Sequence, residues 1–315
     1  MCSHIACLVW SRMILRQRRR ITRALIAILL GTACISAVQI ARKALRAKRT
    51  ERLAVSIKNC RGNVYYDWET DADGNVMNEG LLIRWSRTPP GPRFLREVFG
   101  ENLFARLTSV DFDMSRANSM GLTHLGELPD LKHLTFWSGR FGEADARRIA
   151  PLYNLETLRF FEIEMSNDTL REIGCLGNLR ILMLSGRAVS DDGLVHLGTL
   201  RRLEVLHLSG TQVTGKEIGS LHELSRLKTL RLDSSAVDDR WLCNFAELVA
   251  LRSLSLQYTH VTDAGIPALK RLKFLEELNL CYSFVTPRGI SGLEEALPRC
   301  HIYANDRRPG AIGEE

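Results

Sequence analysis

Few residues in this chain have the types and spacing that chemistry requires. Glu69-x-Asp71-x-Asp73-Gly74 matches the opening of a calcium-binding loop, which must end in a bidentate carboxylate at its twelfth position. That position holds Gly80, so the stretch reads as a hairpin turn at Asp73-Gly74. No HExxH, P-loop, GxSxG or GxGxxG pattern occurs, and residues 60–106 contain neither a nucleophile–base pairing nor a histidine. The eight histidines do not cluster, and each reads as a solvated or hydrogen-bonded structural side chain. The eight cysteines show neither zinc-ligand nor CxxC spacing, so they read as scattered structural thiols. The chain is therefore expected not to be an enzyme and to need no metal or cofactor.

What remains is recognition chemistry. Trp137, Arg159, Phe161, His207, Arg231, Tyr258 and Tyr282 include the aromatic and arginine types that supply most binding energy at protein interfaces. They are scattered in sequence. A repeat brings them into columns. Leu107, Leu131, Leu155, Leu179, Leu203, Leu227, Leu251 and Leu275 are spaced 24 residues apart. Counted from each of these, offsets +3, +5, +10, +15, +18 and +21 are also apolar, from Val110 and Phe112 through Leu293 and Ala296. Each unit begins with period-two alternation, as a strand does, and ends with apolar residues three apart, which suits a short helix. Between the two, offset +11 holds Asn118, Gly142, Ser166, Ser190, Thr214, Asp238, Thr262 and Thr286, all residue types that favour helix N-caps.

Runs such as Leu203-Glu204-Val205-Leu206-His207-Leu208 and Val261-Thr262-Asp263-Ala264-Gly265-Ile266 resemble leucine-rich repeats. The match is closest to the 24-residue form with V-T-D-x-G-L turns found in membrane-anchored bacterial proteins. Arg61–Asp67, Pro89–Leu95 and Val98–Glu101 resemble the N-terminal flank of the same proteins. The resemblance implies an α/β fold, a right-handed horseshoe solenoid of eight repeats (residues 107–298), with a protein partner bound on the concave sheet. Members of the family commonly place Asn or Cys at offset +8 to tie down the loop. Here Thr211, Ser235, Thr259 and Ser283 stand there, and their hydroxyls can do the same job more weakly. Repeats one to four have Ser115, Gly139, Ile163 and Arg187, so the first half should be less regular.

Exposed ends of a repeat stack need caps. Residues 42–106 form the expected flank and cap, with a helix over 42–59, a strand over 63–68 and helical turns over 92–104. Residues 299–305 should add a capping strand and residues 306–315 a tail. Upstream, residues 1–53 carry twelve basic side chains against one acidic, Glu51. That segment is +11, and a total of +7 leaves the remainder at −4. A basic average therefore does not mark a nucleic-acid binder, and none is expected as a partner. Residues 1–23 form a basic segment, with Met1 or Met13 as the start. Residues 24–41 are 18 consecutive uncharged, mostly apolar residues. As a helix they would span roughly 27 Å, close to the hydrocarbon core of a bilayer. The absence of a small-x-small cleavage site favours a single transmembrane anchor over a cleaved signal. Six basic residues on each side leave its orientation open.

In the strand part of each repeat, offsets +2, +4 and +6 point away from the core. Trp137, Arg159 and Phe161 then form one patch on neighbouring strands, His207 and Arg231 face solvent, and Tyr258 and Tyr282 form a second pair. The function this implies is membrane-anchored protein binding on the concave sheet. The alternative is a substrate-recognition or accessory subunit of an enzyme complex, resembling F-box proteins in its repeats but lacking an F-box.

Overall fold

The computed structural model describes residues 38–67, 69–70, 89–90, 93–99, 102, 105–115, 119–186 and 189–304. The chain divides into two compact units, residues 1–51 with 89–105, and residues 52–88 with 106–315. Helix α1 (38–59) runs through the boundary, and α2 (Arg93–Phe99) lies in the first unit, with Arg93 and Glu97 paired across one turn at 2.8 Å. Residues 24–37 of the apolar run and the Asp73-Gly74 turn lie outside the described residues. Among the described residues no helix is long and apolar enough to cross a membrane.

The second unit is an α/β solenoid built on one ten-stranded sheet. Its strands follow chain order: β1 (Gly62–Tyr66), β2 (Leu107–Asp113), β3 (His133–Arg140), β4 (Thr157–Glu164), β5 (Ile181–Leu184), β6 (Val205–His207), β7 (Thr229–Arg231), β8 (Ser253–Ser255), β9 (Glu277–Asn279) and β10 (His301–Tyr303). Strands β2 to β10 are parallel, and β1 closes the first edge by pairing antiparallel with β2. The register repeats without drift. Leu134 faces Leu158, Leu158 faces Leu182, and so on to Leu254 and Leu278.

The periodic apolar positions form the core. All of those described are buried except Val285, Ile290 and Ala296 in the last repeat, which are half-buried. At offset +5 the first three repeats carry Phe112, Phe136 and Phe160, whose rings stack at 5.9 and 5.2 Å. Phe141 fills the space beside them, 4.7 Å from Phe136 and 4.9 Å from Phe160. Later repeats use leucine at +5. There the hydroxyls of Thr211, Ser235, Thr259 and Ser283 donate to their own repeats' +5 carbonyls at 2.6–2.8 Å. That bond turns the chain out of the sheet, and β6 to β9 are three residues long. Without the hydroxyl at +8, β3 and β4 run on for eight residues. Offset +8 does not set strand length alone: β5, with Arg187 at +8, has four residues, and β2, whose Ser115 hydroxyl donates to Asp113 instead, has seven.

The return segments depart from a uniform helix. Repeats two to four use the short α-helices α3 (Glu143–Ile149), α4 (Asn167–Ile173) and α5 (Asp191–Leu194). Repeats one, five and six use 3₁₀ segments over Ser119–Glu127, Ile218–Leu221 and Asp239–Glu247. Repeat seven passes through a 3₁₀ turn (Asp263–Gly265) into α6 (Ile266–Leu269), and repeat eight returns to α-helix in α7 (Pro287–Ala296). Apolar residues spaced by three match the three-residue turn of a 3₁₀ helix as well as an α-helical face. Asp238, Thr262 and Thr286 cap their own segments, accepting from Arg240, Ala264 and Gly289 N–H groups. Thr214 does not start a helix directly. Gly215 follows it with φ +95, and the helical turn waits until Ile218.

The V-T-D-x-G-L turn is a clasp between repeats. The Asp239 carboxylate of repeat six accepts both the N–H (2.9 Å) and the hydroxyl (2.7 Å) of Thr262 in repeat seven. Asp263 holds Thr286 in the same way, at 2.8 and 2.6 Å, and Asp191 holds Thr214 at 3.0 and 2.7 Å. Asn167 and Ser190 make an amide version, at 2.8 and 3.1 Å. The glycine of the motif leaves room for the clasp. A methyl group on Gly265 would lie 2.5 Å from Asp239 Oδ1 and 2.4 Å from the Leu242 side chain.

Chemical denaturation checks this account. Leu206→Ala removes a fully buried side chain and is expected to cost about 2–5 kcal/mol. Gly265→Ala, which crowds the clasp, is expected to cost about 1–3 kcal/mol. Gly126→Ala, with open space at its Cβ position, is expected to shift the midpoint little. Equal losses at Gly126 and Gly265 would reject the clasp as the reason for the motif's glycine.

Candidate functional site

Strand register sets the outward columns. Offset +4 runs Asp111, Thr135, Arg159, Met183, His207, Arg231, Ser255 and Asn279, each facing the next across a strand pair. Asp113, Trp137 and Phe161 align likewise at offset +6. On β2 to β4 much of this face is covered. Ser109, His133, Thr135 and Thr157 are buried, and Arg159 is only 7% exposed. From β5 onward the same columns are mostly half-buried, with Arg231 and Glu277 exposed and Ser255 buried.

This changes the expected patch. Trp137 and Phe161 stack at 4.4 Å with their planes 20° apart, and Trp137 remains 45% exposed. Arg159 does not join them at the surface. Its charge acts within a polar cluster that includes Asp111, where burial raises the carboxyl pKa while the Thr135 hydroxyl and Arg159 oppose the rise. Tyr65 on β1 has its pKa raised by burial and then by Asp111.

His207 and Arg231 face one another on β6 and β7. Arg231 is exposed, whereas His207 is half-buried rather than solvent-facing. Burial, then Arg231 and Arg159, lower the His207 pKa to about 4 from 6.5, with Asp233 opposing. The imidazole is therefore neutral at pH 7.

Tyr258 and Tyr282 stack at 4.4 Å with planes 7° apart. They sit at offset +7, just past β8 and β9, with φ of +52 and +57. That offset is left-handed in every repeat from the second to the eighth: Ser138, Glu162, Gly186, Gly210, Ser234, Tyr258 and Tyr282. Gly186 and Gly210 meet the demand without strain, while a bulky side chain there costs roughly 1–2 kcal/mol. The two aromatic pairs do not meet. Four strand steps separate Phe161 on β4 from Tyr258 after β8, about 19 Å.

The structure adds a feature that the sequence columns left unremarked. Arg231, Asp233, Ser255, Gln257, Asn279 and Tyr303 line a shallow polar depression of about 250 Å³. Asp233 is held there by the Ser255 hydroxyl and by the Gln257 N–H at 3.1 Å. The signal was present in the short polar side chains at offsets +4 and +6 of repeats six to eight. Among the described residues, no three His, Cys, Asp or Glu side chains converge as metal ligands. Cys60, Cys175, Cys243, Cys281 and Cys300 are free thiols. Burial, with Glu277 nearby, pushes Cys300 up to about 11.

No protein-family model and no curated protein sequence matches the chain. Among solved structures it is similar to the leucine-rich-repeat protein LIC12759 of Leptospira interrogans, with 21% identity and TM-score 0.43 over 57% of this chain and 44% of that one. It is similar to internalin C2 of Listeria monocytogenes, with 23% identity and TM-score 0.41 over 54% and 79%. It is also similar to TLR13, solved as a complex with ssRNA13, with 21% identity and TM-score 0.46 over 63% and 33%. The chain thus spans less than half the length of the first and last of these. The 24-residue strand ladder, the hydroxyl turns and the repeat clasps give the second unit a leucine-rich-repeat-like α/β solenoid fold.

Because the folded pKa of His207 lies below its unfolded value, the unfolded chain binds the extra proton between them. Stability from this site is complete above about pH 6.5 and falls as pH drops toward about 4. Denaturation midpoints across that window are expected to decline more steeply for the native chain than for His207→Gln. Parallel curves would place the imidazole in open solvent.

Proposed function

We propose that this chain is a leucine-rich-repeat protein that binds another protein on the concave face of its sheet and is held at a membrane by residues 24–41. The observation that carries the binding role is the Trp137–Phe161 stack, a large aromatic pair left at the surface of a rigid sheet. Tryptophan in such a setting is the residue type that most often dominates an interface. The core and clasps hold the strands in place before any partner arrives, so docking orders little backbone. His207 and Arg231 extend the surface toward the polar depression, and the Tyr258–Tyr282 pair lies beyond it. The membrane tether rests on sequence: 18 uncharged residues between Arg23 and Arg42.

The test is purification of the full chain from its native membrane with its partners identified by mass, comparing native protein with Trp137→Ala. The variant is expected to lose about 2 kcal/mol or more of partner affinity. Its stability should fall by only about 1 kcal/mol, the worth of one aromatic stack. Full partner recovery by the variant would reject this face as the docking surface. For the tether, the full chain is expected to require detergent and to resist carbonate extraction. Release by salt alone would indicate attachment by charge and reject a spanning helix.

A further inference from the structure

The turns that lead into the strands form one edge of the sheet, at offsets −2, −1 and +1. Along β3 to β5 the charges of this edge neutralise one another. Lys132 pairs with Glu156 at 2.5 Å, and Arg180 pairs with Glu204 at 3.0 Å. Along β6 to β9 the balance shifts. Arg202, Arg226 and Lys228 at these offsets, and Arg271 three residues before Phe274, are exposed. Among the described residues none of the four has a carboxylate within ion-pair distance, although the Glu204 carboxylate, already paired with Arg180, also feels Lys228 and Arg226. Several neighbouring carboxylates already have partners. Glu223 takes Arg201 at 3.1 Å and Glu276 takes Arg252 at 3.6 Å.

The same edge carries uncovered apolar side chains. Val249 is 67% exposed and Phe274 is 63% exposed. The guanidinium of Arg252 lies 5.3 Å from the Phe274 ring centre and covers one of its faces. Basic side chains interleaved with a protruding aromatic and an aliphatic residue suit the boundary between phosphate headgroups and acyl chains. The rest of the chain beyond residue 53 is net negative, so this edge stands out against its own body.

We propose that this basic edge of repeats five to eight is a lipid-docking surface. Arg202, Arg226, Lys228 and Arg271 would meet anionic headgroups, and Val249 and Phe274 would enter the interface. This goes beyond protein binding on the sheet face, and it draws on the tether only as the means of bringing the chain to a bilayer.

The full chain, mixed with vesicles of phosphatidylcholine alone or phosphatidylcholine with phosphatidylserine, is probed by lysine acylation read by mass spectrometry. Lys228 is expected to react several-fold more slowly on the phosphatidylserine vesicles. Lys216, on the return side of repeat five, is expected to react equally on both. About 1 M salt, which confines charge interactions to roughly 3 Å, should abolish the difference. The double variant Arg202→Glu, Arg226→Glu should also lose it while keeping its thermal midpoint. Equal Lys228 reactivity on both vesicles, with the chain bound to them, overturns the edge and leaves the tether intact. Binding only to phosphatidylserine vesicles supports the edge and rejects the tether. Binding to neither rejects both. Protection of Lys228 by heparin but not by vesicles overturns the lipid assignment and makes the edge a site for a soluble polyanion.

Discussion

A repeat of 24 residues cannot bury its own apolar face. Each strand takes its backbone partner from the next repeat, and each leucine packs against its counterpart one step along. The arrangement holds only if every repeat rises by the same amount and returns to the same register. In this chain the register from Leu134 to Leu278 never slips. The turns and clasps keep that step constant although the side chains of the repeats differ.

Two devices share the work. Within a repeat, the +8 hydroxyl binds its own +5 carbonyl and turns the chain off the sheet. Between repeats, the aspartate or asparagine at +12 holds the next cap residue, and glycine at +14 allows the close approach. Repeat five lacks the acid, having Gly215 at that place. There the helical turn starts late. In the first three repeats no +8 hydroxyl binds a +5 carbonyl, the clasp forms only from Asn167 of the third, and a phenylalanine spine with longer strands takes over. One ladder is thus held by aromatic packing at its beginning and by polar clasps toward its end.

Much of the fold was legible because it depends on periodic positions. Spacing alone required that Leu206 be buried and that residues 299–305 add a strand, observed as His301–Tyr303, while the resemblance to leucine-rich repeats gave Thr259 its loop. The helical class of the returns was not legible, since a three-residue spacing suits both 3₁₀ and α turns. The surface was harder still. Alternation puts Arg159 on the outward side of β4, yet it is buried there, because alternation sets direction and says nothing of what covers a face. His207 was expected in solvent, and burial, helped by Arg231 and Arg159, holds its imidazole neutral instead. The left-handed offset +7 was hidden because glycine, serine, glutamate and tyrosine all occupy it. Only the two glycines hint at the backbone.

The clasp has a consequence for how the chain acquires its structure. Its hydrogen bonds join residues 23 to 26 apart, and the sheet pairs residues 24 apart from β2 to β10. Relative to a chain of 315 residues, that separation is about 0.08, which belongs with fast-folding helical bundles rather than with ordinary β proteins. Loop closure between neighbours is short and uniform, so order can start at any well-packed pair of repeats and spread as a front in both directions. Repeat five, where the clasp gives way to Gly215, is the point at which such a front slows.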